Sequence, residues 1–213
     1  MVIAIDGPAG AGKSTVARGV ARALGYTYLD SGAMYRCVAL AALRDGVDLD
    51  DGAGLGEVAR RITIGLADGT VSLDAENVTA DIRTPDVTAA ASRVSIHPEV
   101  RRAMVDQQRA LIAAGDYVAE GRDIGTVVSP DSPLKVFLTA SDAERARRRA
   151  AETGEAVGNV RAAQAQRDAR DREREYGALR AASDSVEIDT TGLNAEEVVD
   201  RVVGIARDRG LAG

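Results

Sequence analysis

Apolar and polar positions along the chain follow two periods, and the switches between them mark its elements. Residues 2–5 form a short, β-branched apolar run, the pattern of a central parallel strand buried on both faces. After a glycine-rich segment, Val16, Val20, Ala21 and Leu24 recur at helical spacing over residues 14–24, and Gly25 provides a stop. Residues 117–119, 134–138 and 185–188 repeat the buried-strand pattern. Helical periodicity predicts helices over 34–43, 98–113, 143–152, 160–175 and 195–207. Strands alternating with helices in this order predict a three-layer α/β fold around a mostly parallel sheet.

Two segments break the rhythm. Residues 62–83 carry short β-like runs around the turn signal Asp68-Gly69 and predict a small antiparallel insertion. Residues 152–160, ETGEAVGNV, place glycine on both sides of a polar stretch between two helices, which predicts a mobile flap. Two excursions from one core suggest an enzyme that closes.

Composition narrows the field. With 213 residues the chain is long enough for a sizeable core, and at ~100 to 200 residues per domain it predicts one domain, residues 1–213, with insertions. It contains no repeat or low-complexity tract, no apolar stretch of membrane-spanning length, and no basic n-region at its start, so a soluble cytoplasmic protein is expected. Cys37, the single cysteine, reads as a small core hydrophobe beside the apolar residues 38–43. A net charge of −6 disfavours a general nucleic-acid binder and points to small partners. Of the 27 basic residues, all but Lys13 and Lys135 are arginine, so a lysine inside the glycine-rich segment stands out. A slim ammonium fits between phosphates where a guanidinium fork is too broad.

Gly7 to Ser14 matches G-x-x-x-x-G-K-[ST] in full, between a predicted strand and a predicted helix. The stretch Gly7, Pro8, Ala9, Gly10, Ala11, Gly12, Lys13, Ser14 and Thr15 is therefore a candidate nucleoside triphosphate cradle. Backbone N–H groups and the helix N-terminus face the anion, Lys13 reaches the β and γ phosphates, and Ser14 is the candidate Mg²⁺ ligand. Switches, motors and kinases share this loop. The absence of [NT]-K-x-D argues against a guanine-nucleotide switch, and the chain is short for a motor, which leaves a small kinase.

The acceptor must be read elsewhere. In LDSGAMYR, residues 29–36, Asp30 and Ser31 either cap a helix or serve the site. His97 opens another helix and reads as a cap-region residue. EGRDIGTVVSPD, residues 120–131, places Arg122 and Asp123 just beyond a parallel strand, where α/β sheets bind ligands. Glu144 and Arg148 have the spacing of a surface pair. Arg167, Arg170, Asp171 and Arg174 share one helical face beside the expected flap, while Arg172 points elsewhere. Arginines in that position suit a transferring phosphoryl group.

IDGPAGAGKST, LDSGAMYR, DIRTPDVTAAASRVS, VRRAMVDQQR, EGRDIGTVV and KVFLTASDAERARRR, in this order, resemble the bacterial cytidylate kinases nearly end to end. The resemblance implies a P-loop nucleoside monophosphate kinase fold: a core, an acceptor-binding insertion over about 32–100 and a helical lid over about 150–175. It implies transfer of the γ-phosphate of ATP to CMP or dCMP with Mg²⁺, by a chain taken as a monomer without membrane or stable nucleic-acid partners. A kinase acting on another nucleoside monophosphate or a small metabolite is the alternative. By resemblance, Ser31, Tyr35, Arg36, Arg83, Ser92, Arg101, Arg122 and Asp123 line the acceptor site, with Arg167 and Asp171 reaching it from the lid. Lys13, Asp30, Arg148, Arg149, Arg167 and Arg174 are the expected catalytic set. The chain departs from the family pattern at Asp171-Arg172-Glu173-Arg174 and Ala178-Leu179, and it shortens the stretch between Arg149 and Arg167.

Overall fold

The computed structural model describes residues 1–67 and 69–211, so Asp68 of the expected turn lies outside the described residues. The chain opens with β1 (Val2–Asp6) and α1 (Lys13–Leu24), then β2 (Thr27–Asp30), α2 (Ser31–Asp45) and α3 (Gly52–Arg61). Three short strands follow, β3 (Ile64–Ala67), β4 (Thr70–Leu73) and β5 (Glu76–Asn77), then a 3-10 turn (Asp81–Arg83), α4 (Pro85–Val94) and α5 (Pro98–Ile112). The last third holds β6 (Tyr117–Gly121), a π-helical turn (Ile124–Val128), β7 (Leu134–Thr139), α6 (Asp142–Thr153), α7 (Val157–Glu173), β8 (Val186–Asp189) and α8 (Ala195–Asp208).

The main sheet has the order β2-β6-β1-β7-β8. β1 lies parallel to β6, with Ile5 opposite Glu120, and parallel to β7, with Ile5 opposite Val136; β7 is parallel to β8. Every residue of β1 is buried, as its unbroken apolar run requires for a central strand. Ile3, Ile5, Val136, Leu138 and Ile188 form a core with Val16 and Val20 of α1 and Val198 and Val202 of α8. Burial of each such side chain contributes on the order of 1.5 to 3 kcal/mol. The α/β fold with a central parallel sheet flanked by helices is thus the one the alternation predicts.

The chain divides into two compact units, Met1–Leu29 with Ile112–Gly213, and Asp30–Leu111. In the second unit α2 packs on α4 and α3, and β3, β4 and β5 form the expected antiparallel insertion. Helices α3 and α4 have no counterpart in the sequence reading. Three glycines, Gly52, Gly54 and Gly56, dilute the periodicity of α3, which starts from the Asp51 cap on Gly54 N–H. Helix α4 starts with Thr84 capping Val87 N–H and Pro85 at its first position, a start signal in a stretch otherwise rich in alanine.

Residues 152–160 differ from the expected flap. Helix α6 runs to Thr153, Gly154 closes it at φ 74°, and α7 begins at Val157, so only residues 154–156 lie outside helix. Ala146 and Ala150 of α6 pack with Val160 of α7, and this small apolar seam makes the arm a helical hairpin.

Candidate active site

Residues 7–12 leave β1 as a loop that the surrounding backbone makes glycine-dependent. Gly7, at φ 150°, lies so close to the Leu138 carbonyl that any Cβ would collide with backbone. Gly10, at φ 78°, would place a Cβ 2.8 Å from Gln164 Nε2 and 3.1 Å from the Arg145 carbonyl. Gly12 caps α1 in the left-handed region with no side-chain hydrogen bond, which leaves the helix N-terminus to an anion rather than to a capping side chain.

Lys13 is buried at the first position of α1, and its Nζ donates to the Pro8 carbonyl at 2.8 Å. Burial lowers this ammonium to about 7, and the nearby Arg122 and Arg167 guanidinium groups push the same way against Glu120 and Asp6. An ammonium so weakly held gains most from phosphate oxygens, which restore its charge. Ser14 and Thr15 follow on the exposed side of the first turn.

Asp6 ends β1 and ties the loop to the next strand. Its Oδ1 accepts from Ile124 N–H at 2.9 Å and its Oδ2 from Gly125 N–H at 2.7 Å. Burial raises the carboxyl to about 7 even against these bonds. The pinned residues open the π-helical turn, closed by Val128 N–H to Asp123 O at 3.2 Å and Ser129 N–H to Ile124 O at 2.7 Å. Such turns recur at functional sites. Asp123, buried, and Arg122, half-buried, stand immediately before it.

On α7, Asp171 is the centre of the charge cluster. It is 1% exposed and accepts from Arg122 Nε at 2.8 Å and from Arg174. Burial raises its pKa, but Arg122, Arg174 and Arg167 together outweigh that and hold it below the usual carboxylate range. Arg170 instead donates to the Gln166 carbonyl of its own helix, and Arg172 is exposed. Arg148 is paired with Glu144 at 2.8 Å as its spacing suggested, but it also donates to Thr190 Oγ1 at 3.0 Å and Thr190 O at 2.7 Å. Thr190 in turn donates to the Ala11 carbonyl, so Arg148 sits beside the loop. Arg149 pairs with Glu152 on the exposed face of α6 and is not brought to this cluster.

Within the second unit, Asp30 Oδ1 caps α2 through Ala33 N–H at 2.9 Å, so the capping role falls to Asp30 and Ser31 is the buried first helical residue. Tyr35 presents its ring to the Arg101 guanidinium, 5.4 Å from the centroid. Arg101 is 1% exposed. Ser92 Oγ is buried and no described atom pairs with it. Arg36 is half-buried, whereas Arg83 ends the 3-10 turn in an exposed position. His97 Nε2 donates to the Leu49 carbonyl at 2.9 Å, outside the group of predicted acceptor residues.

The Cytidylate kinase family matches this chain over residues 3–208. The chain belongs to the cytidylate kinase family. A cytidylate kinase from Solibacter usitatus is 48% identical over 98% of this chain and 93% of its own length. One from Pelotomaculum thermopropionicum is 49% identical over 94% and 93%. Among solved structures, an uncharacterized protein from Eubacterium ventriosum shares the fold, with a TM-score of 0.58 at 12% identity over 98% of both chains.

Family membership brings a divalent metal into question, and the oxygen donors present fit one. Among the described residues no three His, Cys, Asp or Glu side chains gather to hold an ion by themselves. The exposed Ser14 hydroxyl, one residue after Lys13 in the first turn of α1, suits Mg²⁺, which keeps much of its shell as water and phosphate oxygen. Sequence reasoning missed Asp6, Arg145, Asp168 and Thr190. Asp168 lies three residues before Asp171 on one face, the spacing that could have found it; Arg145 is lost among neighbouring arginines.

Proposed function

We propose that the protein transfers the γ-phosphate of ATP to CMP and dCMP, yielding CDP and dCDP, as a monomeric cytoplasmic enzyme that needs Mg²⁺. The observation that carries this reading is the extent of the family match, residues 3–208, which takes in the phosphate loop, the 120–128 segment and the lid hairpin together.

The chain's own groups account for the chemistry. Residues 7–15 bind the donor phosphates through backbone N–H groups and the N-terminus of α1. Lys13 exchanges the Pro8 carbonyl for phosphate oxygens and follows the moving group. Arg167 and Arg174 stabilise charge on its equatorial oxygens, and Arg148, beside Gly12, steadies the donor side. Ser14 would help to hold Mg²⁺, which would supply charge neutralisation on the donor phosphates. Ser31, Tyr35, Arg36, Arg83, Ser92 and Arg101 recognise the acceptor's base and phosphate, and Arg122, Asp123 and Asp171 its sugar and phosphate. Asp30 contributes by fixing the start of α2. The acceptor's second phosphate pKa is ~6, so its oxygen is already anionic at neutral pH and no general base is required.

ADP release from ATP, compared across CMP, dCMP, UMP and AMP, tests the reading. CMP and dCMP should support rapid release; rates no greater than the acceptor-free control would overturn it.

A further inference from the structure

The lid hairpin grips the phosphate loop by its backbone at one residue. Ala9 N–H donates to Asp168 Oδ1 at 3.3 Å, and the Ala9 carbonyl accepts from Arg145 Nη1 at 2.9 Å. The two side chains pair with each other at 2.5 Å, and Asp142 holds the second arginine nitrogen at 2.6 Å. Arg145 is 4% exposed and Asp168 1%. A buried pair of this kind is a costly way to gain stability, but it fixes geometry, because neither charge tolerates loss of its partner. Gln164 extends the grip: its amide donates to the Arg145 carbonyl at 3.3 Å and lies against Gly10. The Pro8 to Ala9 peptide is consequently held at both edges, its carbonyl by Lys13 and its N–H by Asp168.

The same helix face holds a second buried carboxylate. Asp171, one turn beyond Asp168 on α7, receives Arg122 from the end of β6. One rigid turn of helix therefore spans a contact with the donor loop and a contact with a residue assigned above to the acceptor.

We propose that Arg145 and Asp168 are positioning residues that set the phosphate loop, and that α7 couples them to Arg122, so that acceptor binding tightens donor binding. The inference rests on the functional reading above. Any ligand that engages Arg122 and Asp171 biases the seat of α7, and the Ala9 backbone responds through Asp168. Coupling of this type is reciprocal, and a factor of about 5 or more is typical where two sites share one element.

The test measures the Kd of a non-hydrolysable ATP analogue with Mg²⁺, with and without saturating CMP, for the full chain. Wild type should bind the analogue about 5-fold more tightly with CMP. Asp168→Asn and Arg145→Lys should weaken the analogue by about 10-fold or more, the loss of a charge-assisted contact, and bring the CMP effect close to 1. The Kd of CMP for the nucleotide-free variants should stay within about 2-fold of wild type, which a general unfolding would not allow. Folded variants with wild-type analogue affinity and a wild-type CMP effect would overturn the proposal. Hydrogen exchange of the residue 9 and 10 amides in wild type needs no variant: CMP alone should slow it, and unchanged exchange would overturn the coupling. Failure of the functional reading shows separately, as absence of CMP-dependent ADP release, while the loss of analogue affinity in the variants requires no acceptor.

Discussion

Nucleotide binding above neutral pH should draw a proton from solution onto Lys13. With its ammonium lowered to about 7 by burial, the residue is ~10% protonated at pH 8 in the free protein, by the ordinary titration relation. Between phosphates it returns toward its usual value near 10.5, so binding takes up ~0.9 proton at pH 8 and ~0.1 at pH 6. The shift corresponds to on the order of 4 to 5 kcal/mol, the net of burial and arginine repulsion against the nearby carboxylates, that phosphate contact would offset. Stability follows the same linkage. The unfavourable contribution is fully present below pH 7 and is relieved as pH rises from 7 to 10.5, where the unfolded chain binds the extra proton. Calorimetric titration of a non-hydrolysable ATP analogue, in buffers of low and high ionisation enthalpy at pH 8 and pH 6, reads the uptake as the slope of enthalpy against buffer. Lys13→Arg, charged throughout, should abolish the slope, while Asp6→Asn should leave most of it and so separate the other buried group near 7. A wild-type enthalpy independent of buffer at pH 8, or an equal slope in Lys13→Arg, would refute the reasoning.

Ser92→Ala should leave urea stability within about 1 kcal/mol of wild type, because the buried hydroxyl has no partner to lose, yet raise the KM for CMP by up to about 10-fold; a large stability loss with unchanged KM would show a structural hydroxyl. Asp171→Ala should cost about 3 to 5 kcal/mol in urea unfolding, since it leaves Arg122 and Arg174 facing each other, and a loss under about 1 kcal/mol would mean the clamp does not hold in solution. Cys37, fully buried with its thiol pushed up to about 12 by burial, should resist an aromatic disulfide reagent at pH 8 until urea unfolds the chain; rapid labelling of the native protein would contradict its place in α2.

The frame of the fold was legible because its central strand is a continuous apolar run. Residues 2–5 declare two-faced burial without any long-range information, residues 134–138 are apolar but for Lys135, and Gly7 to Ser14 declare the loop between strand and helix. Helix α3 was hidden because glycine weakens its periodicity, and α4 because alanine blurs the contrast between its faces. At the site, one-dimensional spacing exposed the Arg167, Arg170, Asp171 and Arg174 face but ranked its members by charge. Burial reverses that ranking: Asp171 is the hub and Arg170 turns back on its own helix. Arg145 and Arg149 are four residues apart in one arginine-rich run, yet one is sealed against Ala9 and the other lies in solvent. Only the packing of α6 on α7 separates them.

The sealed state of Cys37 has a practical consequence. Because the single thiol is buried in α2 and burial favours its protonated form, the natural chain should be silent to maleimide chemistry. Cysteines introduced at exposed Glu155, in the link between α6 and α7, and at exposed Arg93 of α4 could carry a donor and an acceptor dye without removal of the native thiol. The distance between the α6–α7 hairpin and the second unit would then become a solution measurement, read one molecule at a time as ATP and CMP are added.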